Sequence, residues 1–241
     1  MHAESYRHEL KFLCTENQLC HIERKIRHIC RLDRHTGPDG NYRITSLYFD
    51  TPDDRCYQEN LAGTDQRKKY RIRVYNDDTD TIFLECKSSL RGLKTKENCL
   101  ITPAQCEYLT EQFPYWKKKL PAPSTPQTDP SQNLLERFLT EKKTELFLPK
   151  VIVEYVRTPY IFPAGNVRIT FDRRIRSSSQ VTGFPGKSRP FRCILPQDTH
   201  VLEVKYDRLL PGAILELVTG GLDLRRTSFS KYAMCREYGT I

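Results

Sequence analysis

Short runs in which aliphatic and long polar residues alternate recur along the chain. In Tyr70-Arg71-Ile72-Arg73-Val74-Tyr75 the two arginines fall on one side of an extended strand, and Ile72 and Val74 on the other. The same period of two predicts strands over residues 6–12, 44–49, 81–88, 93–96, 151–160, 167–171 and 201–206. Each sorts its charges: Arg7, Glu9 and Lys11 oppose Leu10 and Phe12; Glu85 and Lys87 oppose Ile82, Leu84 and Cys86; Glu203 and Lys205 oppose Leu202, Val204 and Tyr206. In residues 151–160, Tyr155 and Arg157 oppose Ile152 and Val156, with Glu154 breaking the apolar side. Asn76-Asp77-Asp78 and Arg91-Gly92 are turn signals that make a meander of residues 71–96.

Helical spacing follows Thr15, with Leu19, Ile22, Ile26, Ile29 and Cys30 on one stripe and Thr15 as the cap. Thr102-Pro103 opens a second helix, to about residue 113, with proline at the first helical position. Ser131 caps a third, to residue 146, after a proline-rich loop at 120–130. Further helices are predicted at 213–219 and from Ser228 to the end. Nothing marks a domain boundary, so residues 1–241 are read as a single α+β domain. Two geometries suit its charged strand faces. Either they look outward to solvent, or the sheet closes on itself and the charges line a bore. A bore of cations repels itself unless a polyanion fills it.

The composition bears on that choice. With 39 Lys and Arg against 30 Asp and Glu, the net charge is +9, which points to a polyanionic partner. At 38% hydrophobic the chain can bury a core. Nine cysteines show neither C-x-x-C spacing nor a zinc-finger arrangement, and are expected to be reduced and mostly buried. His8, His21, His28, His35 and His200 form no triad or metal set and are expected on surfaces or helices. No apolar leader or membrane-length run occurs, so a soluble, cytoplasmic protein is expected, reaching a membrane only through a membrane-protein partner. P-loop and kinase signatures are missing. Arginine pairs and mobile lysines suit phosphate, and acids on the same walls, such as Glu9 and Glu203, suit a divalent cation.

Taken in order, Tyr6-Arg7-His8-Glu9-Leu10-Lys11-Phe12, Ser46-Leu47-Tyr48-Phe49-Asp50-Thr51, Lys69-Tyr70-Arg71-Ile72-Arg73-Val74-Tyr75, Leu84-Glu85-Cys86-Lys87, Tyr155-Val156-Arg157, Val167-Arg168-Ile169, Leu202-Glu203-Val204-Lys205-Tyr206 and Phe229-Ser230-Lys231-Tyr232 resemble the VTC polyphosphate polymerase domain of the triphosphate tunnel metalloenzyme (CYTH-like) superfamily. The resemblance spans nearly the whole chain. It implies an antiparallel eight-stranded β tunnel with helices outside, which transfers the ATP γ-phosphate to a growing polyphosphate chain and releases ADP, with Mn2+ or Mg2+. It implies phosphate-binding roles for Lys11, Arg71, Arg73, Lys87, Arg157, Arg168 and Lys231, with Ser230 as a further phosphate contact and Tyr155 near the base. Arg67, Lys94, Lys96 and Lys205 join the ligand-binding candidates, and Glu203, with Glu9, the metal ligands.

This chain departs from the pattern at three places. Arg7 replaces the first glutamate of the superfamily's E-x-E-x-K motif, which favours the polymerase branch over the hydrolytic one. An expected arginine falls near Asn60, with Arg67 as the substitute. An expected lysine is Ser228, with Arg225 or Arg226 as the compensating residue. No segment matches the inositol-phosphate-sensing or membrane-spanning modules of eukaryotic relatives, so the stand-alone bacterial type is expected. The alternatives are a metal-dependent tripolyphosphatase or nucleoside triphosphatase of the same fold, or a non-catalytic polyphosphate-binding module. Nucleic acid is not expected, since the cations recur on strand faces rather than on one exposed helix. Alanine at Arg71 or Arg73 is expected to leave the fold intact and to abolish synthesis.

Overall fold

The computed structural model describes residues 8–90, 93–111, 132–186 and 188–238. The expectations for Tyr6 and Arg7, the Arg91-Gly92 turn, the proline-rich loop and the Ser131 cap lie outside these residues.

The described elements are, in chain order, β1 (His8–Thr15), α1 (Glu16–Ile26), β2 (Arg31–Leu32), β3 (Tyr42–Asp50), α2 (Arg55–Leu61), β4 (Arg67–Tyr75), β5 (Ile82–Leu90), β6 (Leu93–Ile101), α3 (Pro103–Thr110), α4 (Gln132–Thr144), β7 (Leu148–Phe162), β8 (Val167–Ser178), β9 (Arg192–Cys193), β10 (Thr199–Tyr206), α5 (Gly212–Thr219), β11 (Arg225–Arg226) and α6 (Lys231–Tyr238). Three strands have two residues, and the other eight are the long strands that alternation predicts. The fold is α+β with antiparallel pairing.

The chain divides into two compact units. The first holds residues 8–43, 155–175 and 193–230 of those described. Its strand order is β11-β1-β10-β8-β7. Phe12, Cys14, Ile169, Phe171, Leu202 and Val204 line the apolar face and pack with Leu19, Ile22 and Ile26 of α1 and Ile214 and Val218 of α5. Thr15 and Gln18 form a reciprocal capping box that starts α1 where expected. That helix ends at Ile26, so Ile29, expected on its buried stripe, is exposed while Cys30 is buried.

The second unit holds residues 44–154, 176–192 and 231–238 of those described. Its strand order is β7-β3-β4-β5-β6. Leu47, Phe49, Tyr70, Ile72 and Leu84 are buried on one face. Phe138 of α4 meets Tyr70 at 4.5 Å and Phe49 at 4.9 Å between ring centroids, and Phe147 meets Tyr70 at 5.5 Å. β4 begins at Arg67, four residues before Arg71, where Arg67 pairs with Ser89 of β5, and Lys68 turns to the helix side, where Glu141 holds it at 2.6 Å and Glu145 at 3.4 Å.

Two sequence expectations are corrected. The strand expected over 167–171 runs on to Ser178 as β8, with Ile175 buried. His200 is not a surface residue. It sits buried in β10 with Nε2 2.9 Å from Glu16, and burial, outweighing Glu16, lowers its pKa.

Candidate functional site

Register decides which side chains share a face, because residues directly opposed on antiparallel strands point the same way. In the second unit, Arg67, Lys69, Arg71 and Arg73 of β4 share a face with Lys87 and Glu85 of β5, and Lys94 and Lys96 of β6. Lys69, Lys87 and Lys96 stand abreast in one row of three neighbouring strands. Like charges directly opposite each other destabilise a sheet. One row deeper, Arg71 opposes Glu85, and Glu85 opposes Asn98.

Exposure falls along this face. Lys87, Lys94 and Lys96 are exposed, Arg67 and Lys69 half-buried, and Arg71 and Arg73 buried. Glu85, only 2% exposed, is the anion at the buried end. Its Oε2 accepts from Arg71 Nε at 2.6 Å and lies 2.5 Å from Arg71 Nη2 and 3.8 Å from Arg73 Nη1. Its Oε1 lies 2.7 Å from Lys96 Nζ. Burial opposes its charge, but Arg71, Arg73 and Lys96 outweigh burial and hold the carboxyl well below its usual range. Arg71 Nη1 donates to Tyr48 Oη at 2.9 Å, and Arg73 Nε to Ser46 Oγ at 3.1 Å, so β3 supports both arginines.

The C-terminal segment reaches the same face. The ring of Tyr232 of α6 packs tilted against Tyr48 at 5.1 Å between centroids and lies 5.4 Å from Lys69 Nζ, and its hydroxyl donates a short hydrogen bond to buried Asp50. Asp50 also accepts from the backbone N–H groups of Thr51, Cys56 and Tyr57. Lys231, half-buried, is the first residue of α6.

The polar face of the first unit is built differently. Glu9 opposes Lys205, Lys11 opposes Glu203, Glu203 opposes Thr170, and Lys205 opposes Arg168. Lys205 Nζ makes a short ion pair with Glu203 and lies 3.9 Å from Glu9, which Lys11 approaches at 3.3 Å. Lys11 Nζ also donates to the carbonyl of Phe229, at 3.2 Å, just before half-buried Ser230. Arg168 Nη2 lies 2.8 Å from Asp33 and 3.0 Å from Tyr42 Oη. Arg157 binds Asp172 at 2.7 and 2.8 Å, which outweighs burial and keeps its pKa well above the usual value. The Arg157 guanidinium lies 5.3 Å from the ring of buried Tyr155. Each cation named here has an acid beside it, whereas the second unit's face sets seven cations against Glu85 and, on β3, Asp50, which is engaged by Tyr232 and three backbone N–H groups.

Parity therefore brings Arg67, Arg71, Arg73, Lys87, Lys94 and Lys96 together in one unit, and Glu9, Lys11, Arg168, Glu203 and Lys205 in the other. Leu13 opposes Arg225 and Phe12 opposes Arg226, which puts Arg225 on the Lys11 face and Arg226 on the other. Sequence reading missed Lys69, though it shares the parity of Arg71. It also missed Glu85 as the arginines' partner, Asp172 and Asp33 as the partners of Arg157 and Arg168, and the Asp50–Tyr232 contact. A register was needed for the first, and tertiary contacts for the rest.

Glu9 and Glu203 supply hard oxygen donors on neighbouring strands. On the same face the buried Arg168 Nε and Thr170 Oγ1 have no hydrogen-bond partner. A magnesium-class cation takes one or two carboxylates with phosphate oxygens as further ligands, so this donor set fits one that arrives with phosphate. Among the described residues, no group of three or more His, Cys, Asp or Glu could hold a metal alone.

The model of the VTC domain matches residues 6–238, so the chain belongs to the VTC domain family. Comparison with curated proteins returns no match. Among solved structures, the chain is similar to the PH1819 protein from Pyrococcus horikoshii OT3, with 16% identity, 97% of this chain and 99% of that one covered, and a TM-score of 0.47. It is also similar to HpAC1 from Hippeastrum, described with a dominant triphosphatase activity, at 16% identity, 96% coverage of both chains and a TM-score of 0.49. Among the described residues, no helix is long and apolar enough to cross a membrane.

Proposed function

We propose that this chain is an ATP-dependent polyphosphate polymerase, consistent with membership of the VTC family. The observation that carries the reading is the row Lys69, Lys87, Lys96 beside Arg71 and Arg73. Like-charged neighbours on three strands are stabilised by an anion that crosses them, and a phosphate chain places a negative charge on every repeat. A terminal oxygen of the polyphosphate attacks the γ-phosphorus of ATP. The new P–O bond forms as the bond to the β–γ bridging oxygen breaks, and ADP leaves with that oxygen. The attacking oxygen is already anionic, so no protein base has to remove a proton. Phosphoryl transfer is then positioning plus charge stabilisation.

In this reading Arg71 and Arg73 orient phosphates at the buried end, and Lys69, Lys87, Lys94, Lys96 and Arg67 neutralise the chain toward solvent. Within the first unit Lys11, Arg157, Arg168, Lys205 and Ser230, and within the second Lys231, are the further phosphate-contact candidates. A Mn2+ or Mg2+ ion held by Glu203 and Glu9 would supply charge neutralisation on the donor phosphates.

Purified protein incubated with ATP and Mn2+ is expected to give ADP and a long phosphate polymer in equal phosphate yield. Orthophosphate as the only new phosphate product would assign the hydrolytic alternative. Binding of polyphosphate without turnover would assign a binding module.

A further inference from the structure

The buried end of the basic face already contains an anion. Glu85 is 2% exposed and bonds both Nε and Nη2 of Arg71 through one oxygen, with Arg73 Nη1 3.8 Å away. Its other oxygen takes Lys96 at 2.7 Å. One carboxylate oxygen takes the guanidinium's side edge and the other an ammonium, and these are donors that also suit phosphate oxygens. Nothing apolar requires a glutamate there. The neighbours in its row are Arg71 and Asn98, and burying a carboxylate forfeits hydration that its partners must offset.

We propose that Glu85 is a built-in competitor for phosphate, a positioning residue that holds Arg71, Arg73 and Lys96 in place without ligand and loosens their grip when a phosphate chain is bound. The inference rests on the phosphate-binding reading of this face and goes beyond it. A processive polymerase needs a chain that is held yet able to advance by one phosphate. Seven cations with no internal anion would hold a polyanion too tightly to release it. Each shared donor is divided between Glu85 and the ligand, so the carboxylate lowers affinity and eases translocation. Its place in the row of Arg71, one row deeper than Lys69, Lys87 and Lys96, centres that effect at the buried end of the face.

The test is equilibrium binding of inorganic tripolyphosphate to the wild-type full chain and to Glu85→Gln, without ATP, at rising ionic strength. Glutamine keeps the shape and removes the charge. Glu85→Gln is expected to tighten tripolyphosphate at least about tenfold at low salt, with the gain shrinking as screening grows. In the polymer assay both KM and kcat should fall, because release slows. Glu85→Asp, which keeps the charge but withdraws the carboxylate by one methylene, should tighten binding about threefold. It also serves if the glutamine variant does not fold. Unchanged or weaker binding in the folded variants overturns the proposal and leaves the phosphate-binding face standing. A wild-type chain that binds no tripolyphosphate overturns both.

Discussion

At the scale of single residues, the partners of each arginine decide what its removal does. Arg71 gives two guanidinium nitrogens to a carboxylate that water barely reaches. Truncating it leaves Glu85 short of its main partner, which typically costs about 3–5 kcal/mol, a large part of a domain's net stability. The expectation that Arg71→Ala leaves the fold intact therefore does not suit this burial. We expect a clear loss of Tm, and lost synthesis from that variant would not separate function from folding. Arg73 is the better probe. Its nearest approach to Glu85 is 3.8 Å, and its Nε donates to the uncharged Ser46 hydroxyl, so Arg73→Ala should cost only about 1.5–3 kcal/mol. If it orients the reacting phosphates, polymer yield should still fall by about 100-fold or more, the usual effect of losing one preorganised donor. Full yield from a folded Arg73→Ala protein would remove this strand from the mechanism. On the other polar face, Glu203→Gln should abolish the dependence of rate on Mn2+ concentration. A preserved Mn2+ titration would place the cation elsewhere.

At the scale of elements, the strands were legible because one face of each is apolar, and that fixes parity: a slip by one residue would turn Ile72 and Val74 onto the charged face and Arg71 and Arg73 into the apolar core. Helix starts at Thr15 and Thr102 were legible through their caps, both of which form reciprocal boxes with Gln18 and Gln105. What the sequence could not supply was register between strands distant in the chain, and contacts such as Asp50 with Tyr232, which lie 182 positions apart. That contact is what fixes α6 to the second unit's charged face, with Lys231 at its first turn. Tyr232→Phe keeps the ring on Tyr48 and removes only the hydroxyl, leaving buried Asp50 with its three backbone donors. A stability loss of about 1–3 kcal/mol follows from the broken buried bond. If α6 serves to place Lys231, KM for ATP or polyphosphate should rise more than Tm loss explains. A variant with lowered Tm and unchanged KM would make the contact purely structural.

At the scale of the whole molecule, the buried thiols set an alkaline limit. Cys14, Cys30, Cys56, Cys86, Cys106 and Cys235 are all buried and free. Burial raises each of their pKa values, to about 12 for Cys14, Cys106 and Cys235 and about 11 for Cys30. A folded pKa above the unfolded value means the unfolded chain releases these protons first. The stability they contribute is complete below about pH 8.5 and is lost as pH climbs through the folded values. Six thiols together give a slope of about −8 kcal/mol per pH unit once the unfolded chain is ionised. A buried lysine acts the other way. Lys142, fully buried in α4 with Nζ donating to the Phe147 carbonyl at 2.9 Å, has its pKa pushed by burial down to about 8. The unfolded chain holds that proton longer, so Lys142 adds stability as pH rises from about 8 to 10.4, by at most about 3 kcal/mol. One opposing lysine cannot offset six thiols, and a net stability of about 5–15 kcal/mol is exhausted within one or two pH units of their onset. In reducing buffer the protein should therefore keep its Tm to about pH 9 and unfold with a midpoint between about pH 10 and 11. Lys142→Met should leave that midpoint nearly in place while removing the small gain above pH 8. A native circular-dichroism spectrum persisting at pH 12 would show that the thiols ionise without opening the core.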